Sequence, residues 1–176
     1  VYKGDWKNDK QHGIGTCVWN WGDVYEGQWE DGKRSGKGTE RYPNGIEYSG
    51  SWVRGYWKEG TRKKDGTKYT GTWYKNSLRQ DILIEYANGD RYFGRIDSRS
   101  SYKKQGEGVM IYKNGDTYEG KWKDDQHHGQ GRYAWKEDKH SYNGMWADGK
   151  MHGKGTMFYA DGKRIYGIWE NGEQKQ

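Results

Sequence analysis

The sequence predicts an all-β chain, a tandem array of short β-hairpins, and three features predict it. The first is Tyr-x-Gly-x-Trp, found at Tyr2-Gly4-Trp6, Tyr25-Gly27-Trp29, Tyr48-Gly50-Trp52, Tyr69-Gly71-Trp73, Tyr118-Gly120-Trp122 and Tyr142-Gly144-Trp146, with variants at Tyr92-Gly94-Ile96 and Ile165-Gly167-Trp169. Its central glycines lie 23, 23, 21, 23, 26, 24 and 23 residues apart, a period that marks a repeat architecture. The second is Gly-x-Gly, which begins nine residues after that glycine at Gly13-Gly15, Gly36-Gly38, Gly129-Gly131 and Gly153-Gly155, and twelve after it at Gly106-Gly108. The third is a turn glycine seven residues beyond the second Gly, at Gly22, Gly45, Gly115 and Gly162.

Composition agrees with a folded but thinly cored protein. Val, Ile, Leu and Phe number only 17 of 176 residues, which alone would suggest disorder, but 11 Trp and 16 Tyr supply apolar area with polar tips. The 29 Gly and single Pro point to many tight turns. One cysteine, Cys17, excludes an internal disulfide framework and favours a reducing compartment. No apolar run approaches the ~20 residues that span a bilayer. Opening at Val1 and closing in the turn-like Asn171-Gly172 segment, the chain reads as a piece of a longer protein.

These motifs closely resemble the MORN repeat (membrane occupation and recognition nexus), over residues 1–176, as seven repeats and the first strand of an eighth. The pattern weakens in repeats three to five, about residues 50–117, where the Gly-x-Gly slots read Lys58-Glu59-Gly60 and Gln80-Asp81-Ile82 and an insertion runs from Ser98 to Lys104. The resemblance implies an elongated single-layer antiparallel sheet with one hairpin per repeat, about 15 strands in all.

The turn Pro43-Asn44-Gly45 sets the pairing. Proline and asparagine suit the corners of a type I turn, with glycine in the left-handed position of a three-residue loop. Counting outward puts Glu40 opposite Tyr48, Gly38 opposite Gly50 and Gly36 opposite Trp52. The same count sets Gly13 against Trp29, Gly106 against Trp122 and Gly153 against Trp169, so each indole covers bare backbone of the preceding repeat. Gly13, Gly15, Gly36, Gly38, Trp29, Trp52, Trp122 and Trp169 are therefore expected to be structural, since an aromatic over a strand glycine restores the packing that glycine lacks.

Two sets of residues are expected to bind partners. Trp19, Tyr42, Tyr86, Tyr112, Trp135 and Tyr159 recur on the aromatic, glycine-rich face, where a helical or extended protein segment could lie. Residues 53 to 104 hold 13 Lys or Arg against 6 Asp or Glu, a surplus of seven where the whole chain carries +6. Within it Arg54, Lys58, Arg62, Lys63, Lys64, Lys68, Arg99, Lys103 and Lys104 make a candidate surface for anionic lipid or an acidic protein tail. His12, His128 and His152 sit at matching positions, yet one repeat is two strands, ~9.5 Å, too far for joint metal ligation. They read as turn residues, with no metal and no cofactor expected. Nothing has the arrangement of a nucleophile with its base, and each Gly-x-Gly lies inside a hairpin rather than in a phosphate loop between strand and helix.

The leading functional expectation is a non-catalytic scaffold or adaptor that holds a protein segment along the aromatic face. Proteins similar to it by family commonly act as cytoskeletal, ciliary or cortical scaffolds, so the expected location is cytoplasmic, in the cytoskeleton, the cilium or axoneme, or the membrane-associated cortex. Attachment to an anionic phosphoinositide membrane through residues 53–104 is the alternative, and the repeats could also be the regulatory appendage of an enzyme. Single-stranded nucleic acid ranks below these, because no nucleic-acid module is present. An uncovered edge strand leaves self-association open.

Overall fold

The computed structural model describes residues 1–74, 77–78, 81–97 and 102–175. Arg99 and most of the insertion, Ser98 to Ser101, lie outside the described residues, as does Gln80 of the fourth slot. Among the described residues every regular element is a strand, and all pairings are antiparallel. The chain forms two compact units, Val1–Ala87 and Asn88–Gln176.

The first unit contains β1 (Tyr2–Lys7), β2 (Lys10–Val18), β3 (Val24–Glu30), β4 (Lys33–Arg41), β5 (Glu47–Val53), β6 (Tyr56–Lys64), β7 (Thr67–Tyr74), β8 (Ser77–Leu78) and β9 (Ile82–Glu85). The second contains β10 (Arg91–Ile96), β11 (Lys104–Ile111), β12 (Thr117–Lys123), β13 (Gln126–Trp135), β14 (His140–Ala147), β15 (Lys150–Phe158), β16 (Arg164–Glu170) and β17 (Glu173–Gln174). Seventeen strands are described rather than about 15, because the second strand of repeat four is broken into β8 and β9 and the eighth hairpin has begun to return as β17.

The tight turns within repeats place both central residues at positive φ, as at Asp31-Gly32 (47° and 77°) and Asp148-Gly149 (49° and 79°). That is the geometry of a two-residue hairpin loop whose twist matches the strands. Between repeats, the Pro43-Asn44-Gly45 turn closes with Tyr42 and Ile46 hydrogen-bonded, and it sets the anticipated register: Gly36 faces Trp52 and Glu40 faces Tyr48. Gly13 faces Trp29, Gly106 faces Trp122 and Gly153 faces Trp169 in the same way.

The part each glycine plays differs from the expectation. Within hairpins the register slips just past the central glycine, so that Gly27 pairs with Gly38 but Gln28 pairs with Ser35. Gly36 sits in the resulting bulge at φ +55° and Gly13 in its counterpart at +63°, a left-handed conformation that glycine adopts freely. A Cβ on Gly36 would run into Gln28, on the face away from the indoles. The first glycine thus serves the backbone, and the second makes room for a ring: a Cβ on Gly38 would meet the Tyr25 ring, and one on Gly15 the Tyr2 ring.

Ring hydrogen bonds fasten the bulges. Tyr25 Oη donates to the Gln28 carbonyl at 3.1 Å, and Tyr92, Tyr118 and Tyr142 repeat this with Arg95, Lys121 and Met145 at 2.8, 2.9 and 3.1 Å. Four of the motif indoles donate backward across the strand boundary: Trp29 to Gly15 O (3.0 Å), Trp52 to Gly38 O (3.2 Å), Trp122 to Gly108 O (3.1 Å) and Trp146 to Gly131 O (3.1 Å), whereas the buried Trp169 Nε1 makes no such bond. Tyr25 touches Trp29 and Trp52 edge-on at 5.1 and 5.3 Å, as Tyr142 touches Trp146 and Trp169 at 5.3 Å each. The core of each unit is this zigzag of rings on one face of a single layer.

The irregular repeats fold by substitution. With Lys58 in the glycine slot the bulge in β6 shrinks to one residue, and Trp57 packs between Tyr48 (4.8 Å) and Trp73 (4.9 Å). In β9, Ile82 and Ile84 supply buried aliphatic packing, 0% and 1% exposed.

Gly38→Ala should cost about 1–3 kcal/mol in urea unfolding by forcing the Tyr25 ring aside. Gly32→Ala, at φ +77° with open space around it, should cost only about 1 kcal/mol of backbone strain. Equal losses would mean that Tyr25 does not pack on that glycine.

Candidate functional site

The zigzag of rings leaves gaps on the aromatic face, and the residues filling them differ from repeat to repeat. The position five after the motif Trp carries Gln11, Arg34, Trp57, His127 and Met151. The position two after the second Gly carries Cys17, Glu40, Met110, Tyr133 and Met157, with Arg62 and Ile84 in the irregular repeats. These side chains are the floor of any site on this face.

In the first unit the floor is charged. Arg34 pairs with Glu40, donates to Gly55 O at 2.9 Å, and lies 4.4 Å from the Trp52 ring centroid and 6.0 Å from that of Trp19. Glu40 is 5% exposed; burial pushes its carboxyl above the usual carboxylate range against the pull of Arg34. Above this pair opens a cleft of ≈ 450 Å³ walled by Trp19, Trp21, Trp29 and Tyr42.

The second unit has a smaller cleft, ≈ 300 Å³, lined by Lys104, Met110, Tyr112, Trp122, Asp125 and His127 among others. His127 stacks on Tyr118 with centroids 3.7 Å apart, meets Trp122 and Trp146 edge-on, and exchanges a hydrogen bond with Tyr112 Oη at 3.0 Å. Burial, helped by the nearby Lys104 charge, pulls its imidazole down to about 4. Alongside, Tyr133 Oη donates to Asp116 at 2.9 Å. Burial would raise the Asp116 carboxyl, but hydrogen bonds from the Lys136 N–H, Asn114 and Tyr133 hold it below its ordinary range.

The six aromatics read from the sequence are all half-buried, at or just beyond the end of a second strand. Trp19 and Tyr42 share the first cleft and Tyr86 lies outside its lining. Tyr112 lines the second cleft and continues through Tyr133 (5.8 Å) to Trp135 (4.7 Å from Tyr133), while Tyr159 stands apart against His140 at 4.9 Å.

Within the first unit the described basic residues are divided between the two faces of the sheet. In β6 alternation puts Arg62 and Lys64 on the aromatic face, where Arg62 is 8% exposed with Tyr48 and Tyr69 at 6.0 and 5.4 Å. Lys63 turns to the other face and pairs with Glu47 at 3.2 Å; its strand neighbour Lys68 meets Glu85 at 3.8 Å. Arg54 is a left-handed turn residue, Lys58 is exposed in the bulge, and in the second unit Lys103 is exposed while Lys104 pairs with Asp125 at 2.9 Å over the Trp122 ring. No group of three or more His, Cys, Asp or Glu with metal-binding geometry occurs among the described residues.

Sequence reasoning did not single out Arg34, Glu40, His127 or Tyr133, although their fixed offsets from the motif mark all four. It also passed over Trp21, which is 64% exposed and stands where the four inter-repeat turns of the same length carry Asn44, Asn88, Asn114 and Asp161.

The MORN repeat pattern is matched at residues 2–24, 25–47, 101–117, 118–137 and 142–164, more than half of the chain. No curated protein matches the chain. Among solved structures, the SAS-4 (dCPAP) TCP domain of Drosophila melanogaster, in complex with a proline-rich motif of Ana2 (dSTIL), is similar in fold: TM-score 0.55 at 14% identity over 89% of this chain and 84% of that one. Virginiamycin B lyase from Staphylococcus aureus gives a TM-score of only 0.20 at 9% identity, over 88% of this chain and 54% of that one.

The depressed His127 pKa carries a sign that can be checked. The folded state holds the imidazole neutral, so this contribution is complete above about pH 6.5 and is lost as pH falls through about 4. Between pH 7 and pH 4 the wild-type chain should lose roughly 2–3 kcal/mol relative to His127→Gln, measured by urea unfolding at each pH.

Proposed function

We propose that this chain, which belongs to the MORN repeat family, is a non-catalytic scaffold that holds a segment of a partner protein along its aromatic face. One observation carries the reading: the repeated Tyr and Trp are spent on the fold, whereas half-buried aromatics and variable polar residues border open clefts on the same face. Aromatic side chains give large contact area at low entropic cost, and they dominate interface energetics. The similarity in fold to a domain in complex with a proline-rich motif supports an extended protein segment as the occupant. In this reading the chain works within a cytoskeletal, ciliary or cortical assembly.

Attachment to an anionic membrane through residues 53–104 is the weaker reading, because Arg62 and Lys104 lie against rings and Lys63, Lys68 and Lys104 are in ion pairs.

Peptides selected from a random display library on the 176-residue chain provide the test. Tyr42→Ala should weaken peptides that seat in the first cleft and Tyr112→Ala those that seat in the second, about tenfold or more in each case, with far-UV circular dichroism unchanged. Undiminished binding by both folded variants would remove the aromatic face from consideration.

A further inference from the structure

The turn after β2 departs from the four other inter-repeat turns of the same length. Asn44, Asn88, Asn114 and Asp161 each accept the backbone N–H two residues on, at 3.1, 3.0, 3.0 and 2.8 Å. Trp21 occupies that position and cannot. The indole is 64% exposed yet held in place: its Nε1 donates to Asp23 at 2.7 Å, and its ring lies 6.3 Å from Trp19 at an interplanar angle of 20°. A large exposed aromatic that gives up a turn hydrogen bond adds little to the fold, and it stands on the rim of the ≈ 450 Å³ cleft.

The cleft's own chemistry narrows the occupant. Its buried charges cancel as the Arg34–Glu40 pair, and Asp23 is engaged by Trp21. The Trp19 Nε1 donor has no partner among the described residues. Apart from the exposed Lys33 at its edge, the wall therefore offers flat apolar surface and an unspent donor. A helix keeps its backbone carbonyls for itself. A polyproline II segment exposes every carbonyl, brings no proline N–H to bury, and is ordered before it binds, so docking costs little entropy.

We infer that the cleft of the first unit takes a proline-rich segment in polyproline II conformation, its rings stacked on Trp19 and Trp21 and a carbonyl accepting from Trp19 Nε1. The inference rests on the scaffold reading and names the class of partner.

Trp21→Asn makes the test clean, because it restores the residue type of the other turns and should leave the melting temperature equal or higher. The intact chain is titrated with a decaproline peptide while its indole N–H resonances are followed by NMR. Decaproline should shift the Trp19 resonance, and Trp21→Asn should bind about tenfold more weakly. Equal binding by Trp21→Asn overturns the assignment. So does a failure of decaproline to bind while library-selected peptides without proline are captured in a Tyr112-dependent way, and the scaffold reading then stands. If the library yields no captured peptide and decaproline does not bind, both fall.

Discussion

Everything in this protein depends on fitting aromatic rings flat along one face of a single sheet. A layer with no second layer above it has no interior, so the interior must be made from side chains lying on the sheet itself. Tyr25 can lie down because Gly38 beneath it has no side chain, and there it reaches both Trp29 and Trp52. The same ring lets its hydroxyl meet the Gln28 carbonyl beside the bulge. Burial, edge-on ring contacts and hydrogen-bond satisfaction thus come from one placement, repeated at Tyr2, Tyr92, Tyr118 and Tyr142.

That economy separates framework from recognition. Each hairpin commits its Tyr, Trp and glycines to the fold and leaves a few positions on the same face with no fixed task. In the first unit these hold a half-buried ion pair beneath stacked tryptophans; in the second they hold a neutral histidine, Met110 and Tyr112. Two clefts of different chemistry therefore arise on one repeated scaffold, and function belongs to what fills the frame rather than to the frame.

Turn-to-turn contacts carry the same logic to the end of the sheet. Asp90 and Asp116 accept the backbone N–H groups of Lys113 and Lys136 in the next turn, at 2.8 and 2.9 Å. Asp23 is one repeat behind Pro43, which has no N–H to give, and its carboxylate takes the Trp21 indole instead. The proline that makes one turn so readable in the sequence thereby frees its neighbour's aspartate to fix an exposed tryptophan.

The sequence by itself determined the all-β class, the hairpin period and the pairing of strands, because a turn fixes register and strand alternation carries it outward. It located the Trp–Gly pairs and the half-buried aromatics for the same reason. Only the tertiary structure decided which ring covers which glycine, since each bulge inserts residues that break the alternation and turn Gly36 away from the face its number suggests. It alone also divided the basic stretch, because long cationic side chains take whatever partner is nearest in space: Arg62 its tyrosines, Lys63 its glutamate. Spacing along a chain orders backbones; where a charge ends up is settled by neighbours that the sequence holds apart.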